Sequence, residues 1–544
     1  MMLYLHAQSN SRIAWLTVLS LIALVLVFAR IIYNVFFHPL AHVPGPFWAR
    51  ASGIPSWYHA YTGKRHIWLS KQFQIYGDKI RPEPNTVLFC DPEAYADIYS
   101  MKSNVRRSQF YTALKRNKHD NMTINTIDVG QHAYKRKLLN LIFTDKLLRG
   151  ACDFIVKHVD RWNQLLLDEI ASNEWSAPVD ITEKIDALAF DIMGDLCFGR
   201  SFDIKEPGEN PLKAVTHCKT EYLLFYYPFC RSPFLSALNW LKPHGLDKLF
   251  DLLSPQPIKQ YNQFVYDSVT SRIALQKEQE GKPESERRQD LFYFLYEARD
   301  PDTNQPAYSE EDLRAESNML IIAGSDTTSV SLSGIFFYLT GDPQRCQRLA
   351  DEILMSFDSV DAIVYGPELL ACTYLKACID EAMRLTPPGT CELPREVLPG
   401  GLVVKGEYYP AGTIVGTVNW AYSRNQEIYK DASAFRPERW IVDDMCGISK
   451  EDVSRLKHNF YPFHSGPWNC VGRNVAMAEM MITVARTLYR FEVRRAPRST
   501  LGCGRPDLGW GCTDETQFQL VDAYISLRQG PEVQFRRRAS AEAV

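Results

Sequence analysis

Two patterns of apolar residues organise this chain. The first is continuous: from Ile13 to Ala29 the sequence reads IAWLTVLSLIALVLVFA, seventeen residues without a charge, and apolar character continues past Arg30 into IIYNVFF. A segment this long and apolar on every face can cross a bilayer. It ends in His38-Pro39 and Pro44-Gly45-Pro46, which cannot continue a helix. No small-residue cleavage pattern follows the apolar run, so a retained anchor is expected rather than a signal peptide. Residues 1–40 are therefore read as the membrane anchor and the start of a proline hinge, and residues 41–544 as the body.

The second pattern is periodic. Apolar positions at helical spacing predict helices over Cys152 to Ile170, Ile181 to Cys197, Gln260 to Gln279, Glu310 to Leu339, Pro343 to Phe357, Leu370 to Leu385 and Arg473 to Phe491. Strands are expected to be fewer and to cluster late. Leu402 to Val404 and Thr413 to Thr417 flank the turn-like Tyr409-Pro410-Ala411-Gly412, and Ala523 to Leu527 and Glu532 to Phe535 flank Gln529-Gly530-Pro531, so two hairpins are predicted. Between Tyr222 and Trp240 the chain is crowded with aromatics and carries Pro228 and Pro233. Such an aromatic run is first read as core, while its prolines favour a loop between helices, one suited to admitting lipophilic molecules near a membrane. The fold class is thus mainly α with small β-sheets (α+β), one large domain after a transmembrane helix, with no linker or internal repeat dividing it.

Composition narrows the function. Of 544 residues, 61 are Lys or Arg and 64 are Asp or Glu, a net charge of -3 that gives no bulk attraction for nucleic acid. The 13 cysteines are scattered and form no CxxC pair, which argues against a zinc centre or disulfide framework and for a reducing compartment. Arg12 precedes the span while Arg30, Arg50, Lys64 and Arg65 follow it, a bias that places the body on the cytoplasmic side.

One cysteine stands apart. Residues 460–472 read FYPFHSGPWNCVG and run into the helix predicted from Arg473. Unpaired amides and the dipole at a helix N-terminus favour an anion, so Cys470 is expected to be stabilised as a metal-binding thiolate. Gly466 and Gly472 lack a Cβ and would let the backbone pass close to a flat cofactor. Three further groups of residues keep it company. Glu381 and Arg384 share one helix face. Ala323-Gly324-Ser325-Asp326-Thr327-Thr328 places polar residues inside an apolar helix, against helix propensity. His132-Ala-Tyr-Lys135-Arg136 presents basic groups on a further helix.

Together these segments resemble the cytochrome P450 family. Phe463-x-x-Gly466-x-x-x-Cys470-x-Gly472 resembles its haem-binding loop, and the supporting segments follow in the family's order from the proline hinge to the C-terminal hairpin. The resemblance implies the cytochrome P450 fold and haem b with Cys470 as axial ligand to the iron. It implies that Arg439 of Phe435-Arg-Pro-Glu-Arg-Trp440 locks the Glu381–Arg384 pair. It further implies an acid-alcohol pair in Asp326 and Thr327, with Gly324 making room for dioxygen. Thr327 can hydrogen-bond back to the carbonyl of Ala323. His132, Arg136 and Arg395 are the expected propionate ligands. Trp468 departs from the pattern, because relatives carry Arg or His there and an indole supplies one donor and no charge.

The implied activity is insertion of one oxygen atom from O2 into a lipophilic small molecule. Electrons would come from NADPH through a separate cytochrome P450 reductase, since no dinucleotide-binding Gly-rich turn is evident here. The hinge, the His132 segment and LPREVLPGG resemble filamentous-fungal members of the endoplasmic reticulum membrane, many of which tailor terpenoids, polyketides or alkaloids. Two rivals are an isomerase or dehydratase that uses no O2, and a non-catalytic membrane-tethered haem sensor.

Overall fold

A computed structural model describes residues 2–115, 120–170 and 174–538, with the side chains of these apart from 2–14 and 215–221. The N-terminal helix Met2–Ile32 continues as a single π-type turn, Tyr33–Phe37. Within Trp15–Phe37, of mean hydropathy 2.5, the apolar 18-residue window has no buried residue, whereas the helix Glu310–Gly341, also apolar enough to cross a membrane, has 78% of its window inside the protein. The first is therefore a candidate anchor and the second a core helix. The body takes hold before the prolines do. Asn34 donates to the Ala51 carbonyl at 2.9 Å, and Val35, Leu40 and Val43 are buried. At Gly45 a Cβ would lie 2.5 Å from the Arg81 carbonyl oxygen, so the proline segment is docked against a strand.

Most predicted helices form, with ends set by caps. Asp145–Asp168 starts where Thr144 accepts from the Leu147 amide, and Glu310–Gly341 starts with a reciprocal box between Ser309 and Asp312. Ile181–Phe198 stops at Gly199, whose φ of 71° lies in the left-handed region. Gln256–Gln279, Pro343–Ser356 and Arg473–Arg490 follow their predicted spans closely. The 370–385 prediction is instead two helices, Pro367–Ala371 and Thr373–Leu385, parted at Cys372.

Three expectations fail. Tyr222 to Trp240 is not a loop: helix Lys213–Cys230 carries Pro228 in its last turn, where few later amides remain to be disrupted, and helix Leu235–Leu241 follows a short turn at 231–234. Neither predicted hairpin exists as drawn. Leu402–Val404 pairs with Glu407–Tyr409 around Lys405 and Gly406, both at positive φ, while Val521–Ala523 pairs with Ile525–Leu527 around Tyr524. Strands are also not confined to the C-terminal part. Lys79–Glu83, Thr86–Phe89, Ile414–Thr417, Arg395–Val397 and Val105–Arg107 form, in that order, a five-stranded sheet. Its pairing is antiparallel except for Thr86–Phe89 beside Ile414–Thr417. Thr86–Phe89 is buried at all four positions, so it lacks the alternation by which a strand is recognised. Glu532–Arg537 joins Phe491–Arg495 and Val179–Asp180 in a second sheet.

The main core lies around Glu310–Gly341, which packs along Ile181–Phe198 and meets Thr373–Leu385 and Arg473–Arg490. These four helices bring together the cysteine loop, the 323–328 segment and the Glu381–Arg384 pair.

Candidate functional site

A cavity of ≈ 580 Å³ runs between Glu310–Gly341 and the loop before Arg473, within the size range of ligand pockets. Cys470, Val471 and Gly472 line one side, and Ala323, Gly324 and Thr327 another. Met122, Ile124, Leu223 and Met319 make much of the remaining wall apolar.

The cysteine loop is fixed from three directions. The Cys470 amide donates to the Phe463 carbonyl at 2.8 Å. Gly466 sits at φ 66°, and a Cβ there would lie 1.9 Å from the Tyr99 carbonyl oxygen. Its close approach is thus to the protein's own backbone and not to a cofactor. Arg136 donates through Nη1 to the Asn469 carbonyl and through Nη2 to Asn469 Oδ1 at 2.5 Å, tying helix Val129–Ile142 to the residue before Cys470. At Gly472, a Cβ would meet nothing nearer than Cys470 Sγ and Phe143, both at 3.9 Å, which leaves the sulfur's cavity side open.

The sulfur lies deep in the protein yet faces this cavity, so Cys470 is both enclosed and accessible. Burial pushes its thiol above the ordinary value, opposed by the Gly472 amide and the Arg136 and Arg473 guanidinia. The amide at the helix N-terminus acts in the expected direction, and a bound cation would complete the thiolate. An open thiol on an apolar floor, one cavity wide enough for a flat ligand, and basic groups beside it fit a haem.

Opposite, Thr327 Oγ1 donates to the Ala323 carbonyl at 2.7 Å, as its spacing suggested, and the helix remains continuous. Thr327 lines the cavity; Asp326 is buried beside it, with Ser325 Oγ 3.4 Å from Asp326 Oδ1. At Gly324 a Cβ would lie 2.6 Å from Met193 Cε, so the missing side chain makes room for Met193.

Behind the cysteine loop, Glu381 Oε1 accepts from Arg384 Nη2, Arg439 Nε and the Arg436 amide at 2.7, 3.0 and 2.9 Å. Its Oε2 accepts from Arg384 Nε and Trp440 Nε1, each at 2.9 Å. Arg384 also donates to the carbonyls of Ser423, Ala432 and Ala434. All these side chains are buried, so the network fixes the 423–440 segment in one geometry.

The basic residues divide. Trp468 stands in a 3₁₀ turn, Gly466–Trp468, with its ring centroid 4.6 Å from the Arg395 guanidinium and 6.1 Å from the His132 ring. Arg395 is almost fully buried behind that ring and is not on the cavity wall. Burial, with Arg107, Arg136 and Arg395 nearby, holds His132 down at about 3, so it is a neutral imidazole. Two residues went unnoticed in the sequence. Arg107 lines the cavity from the sheet edge, as the cross-strand partner of Arg395. Glu479, on helix Arg473–Arg490, is buried with Oε1 unbonded and its carboxyl raised by burial to about 8. Neither belongs to a spacing pattern; only the packing distinguishes them from other charged residues.

Known proteins are similar to this chain in sequence. The cytochrome P450 family profile matches residues 44–501. The chain is 32% identical, over 98% of each chain, to the cytochrome P450 monooxygenase fscF of Fusarium equiseti. It is 31% identical to poxM of Penicillium oxalicum, over 94% of this chain and 92% of that one. It is 30% identical to AKT7 of Alternaria alternata, over 96% and 97% respectively. Both of these are likewise cytochrome P450 monooxygenases.

Proposed function

Because the chain belongs to the cytochrome P450 family and is an oxygenase of the monooxygenase kind, we propose that its site inserts one atom of O2 into a lipophilic small molecule of fungal secondary metabolism. The observation that carries this reading is that Cys470 and Thr327 open onto one and the same apolar cavity. Haem b bound through Cys470 Sγ would supply the oxygen activation, with thiolate donation favouring cleavage of the O–O bond.

The protein's own groups do the rest. Arg136 and the Phe463 carbonyl hold the two ends of the Asn469–Cys470 peptide, just before the sulfur-bearing carbon. Arg136 and Trp468 on the cavity wall, with His132 and Arg395 against the indole, would flank the propionates. Thr327 faces the cavity with its hydroxyl oxygen while donating a hydrogen bond to the Ala323 carbonyl; turning that hydrogen toward the cavity would let the oxygen release a proton there as it accepts another. Buried Asp326 is the acid behind it, replenishing that proton. The apolar wall excludes bulk water and favours a lipophilic substrate.

Residues 1–40 hold a single-pass anchor in the endoplasmic reticulum membrane and the start of the proline hinge, with residues 41–544 as the haem domain on the cytoplasmic side. There it would meet the NADPH-dependent reductase as its electron source. The test is the ferrous–carbonyl spectrum of the full-length protein, then product formation with reductase and NADPH. A thiolate-shifted Soret band and reductase-dependent product, both lost in Cys470→Ala, are expected. Turnover without NADPH would favour an isomerase, haem without turnover a sensor, and a fully active Cys470→Ala would overturn the assignment.

A further inference from the structure

One stretch of the otherwise apolar cavity wall carries a buried amide. Asn318 stands on the central helix Glu310–Gly341, is 2% exposed, and lines the cavity together with Met319, Ile322 and Ala323. It precedes Thr327 by nine residues, which is about 13 Å along a helix axis. Asparagine is unfavourable there on two counts. It is a poorer helix former than Met319 or Leu320 beside it, and a buried amide costs free energy unless its oxygen and its NH2 both find partners.

Only half of that pairing is present. The Tyr261 hydroxyl, on helix Gln256–Gln279, donates to Asn318 Oδ1 at 3.0 Å. Tyr261 is itself buried, so this bond is shielded and fixes which way the amide points, oxygen toward the ring and NH2 away from it. Among the described residues Nδ2 donates to no acceptor, and it is not sealed into the core but reaches the cavity. Met319 and Ile322, its neighbours on the wall, have no oxygen or nitrogen in their side chains. The donor that the fold leaves unpaired is therefore presented to whatever fills the cavity.

Resting on the oxygenase reading above, we propose that Asn318 selects the substrate: its NH2 donates to a carbonyl oxygen carried by a lipophilic molecule, at the end remote from the part that reaches Thr327. Tyr261 is the positioning residue, because its hydroxyl occupies Oδ1 and keeps the amide from offering an acceptor instead. The site thus takes a ketone, ester or lactone in preference to a hydrocarbon of the same shape. An analogue without the oxygen leaves the buried donor unpaired, which is what makes such a contact discriminating.

The test uses full-length protein loaded with haem, as wild type, Asn318→Leu and Tyr261→Phe, with haem content and unfolding temperature recorded for each. The probes are 2-dodecanone, whose extended length matches the distance along the helix, and 2-methyldodec-1-ene, in which a CH2 group replaces the carbonyl oxygen. A rigid pair, 5α-androstan-3-one and its 3-methylidene analogue, is run alongside. Dissociation constants come from equilibrium dialysis, which needs no spectral signal from the haem. Wild type should bind at least one ketone about tenfold more tightly than its alkene, the worth of one hydrogen bond between uncharged groups. Asn318→Leu should bind ketone and alkene equally, keep its haem and unfold no earlier than wild type, since an unpaired buried donor is gone. Tyr261→Phe frees the amide to turn and should keep only part of the preference, and it carries the test if Asn318→Leu fails to fold. A wild type that holds neither ketone or shows no preference, or a preference undiminished in the variants, would overturn the proposal while leaving the oxygenase reading intact. A wild-type chain that takes up no haem would overturn that reading itself.

Discussion

Replacing Glu381 by Gln perturbs the network behind the cysteine loop without changing its volume. Five donors converge on the two carboxylate oxygens: Arg384 Nη2, Arg439 Nε and the Arg436 amide on Oε1, and Arg384 Nε and Trp440 Nε1 on Oε2. Gln offers one acceptor oxygen, and its NH2 brings two hydrogens. The best placement puts the oxygen at the three-donor position and turns the NH2 toward Arg384 Nε and Trp440 Nε1, donor against donor. Two hydrogen bonds are lost outright and two guanidinia are left in the interior without their counter-charge. Burial favours protonation of Glu381, but Arg384 and Arg439 outweigh it and hold the carboxyl below its ordinary range, so a full charge is removed. Breaking a buried pair in this way costs about 3–5 kcal/mol. The loss should be local at first, because Arg384 is also what binds the Ser423, Ala432 and Ala434 carbonyls. Urea unfolding followed by tryptophan fluorescence, together with haem content after purification, measures both effects. A stability loss below about 1 kcal/mol with full haem content would refute the view that this carboxylate is the counter-charge that holds the network together.

Four further outcomes are expected. Burial alone would raise the Glu392 carboxyl, yet Arg231 and Arg65 hold it at about 2 against an ordinary 4.5; a depressed acid stabilises above its unfolded pKa, so this contribution, about 3 kcal/mol, is present above pH 4.5 and lost as pH falls toward 2. The difference in thermal stability between wild type and Glu392→Gln should therefore shrink across that window, and a pH-independent difference would count against it. Glu479 has the opposite sign: burial raises its carboxyl from 4.5 to about 8, so keeping it protonated costs about 3 kcal/mol at pH 7, and Glu479→Gln should be more stable there and equal to wild type below pH 4.5. Thr327→Val keeps the shape but removes the hydroxyl that bonds Ala323, so product formation should fall about 10²-fold relative to NADPH consumption; unchanged coupling would remove Thr327 from proton transfer. Deleting residues 2–32 should release the protein from membranes with its unfolding temperature preserved, whereas deleting 2–43 removes buried Val35, Leu40 and Val43 and should cost roughly 1.5–3 kcal/mol for each.

The sequence by itself determined those features that local chemistry sets. The apolar run from Ile13, the helical periodicity of 181–198 and 310–341, and the 3.6-residue geometry that puts Glu381 beside Arg384 and Thr327 beside the Ala323 carbonyl all depend on neighbours within one turn. The Cys470 loop was legible for the same reason: its glycines and the helix after it are contiguous. What depended on distant parts of the chain was not. Strand partners could not be read from the turn at 409–412, because Leu402–Val404 pairs across the nearer Lys405-Gly406 turn and Ile414–Thr417 lies between Thr86–Phe89 and Arg395–Val397, which that turn does not announce. The thiol's surroundings were legible only in part, since the amide at the helix end is local whereas the desolvating body and the Arg136 guanidinium come from elsewhere in the chain. The position of charge beside the site was decided in the same way. Arg107 and Arg395 are separated by hundreds of residues and are made neighbours only by a ladder of three residue pairs, which places one guanidinium under Trp468 and the other on the cavity wall. No spacing along the chain encodes that division, because it arises from cross-strand register and from which side chain the indole covers.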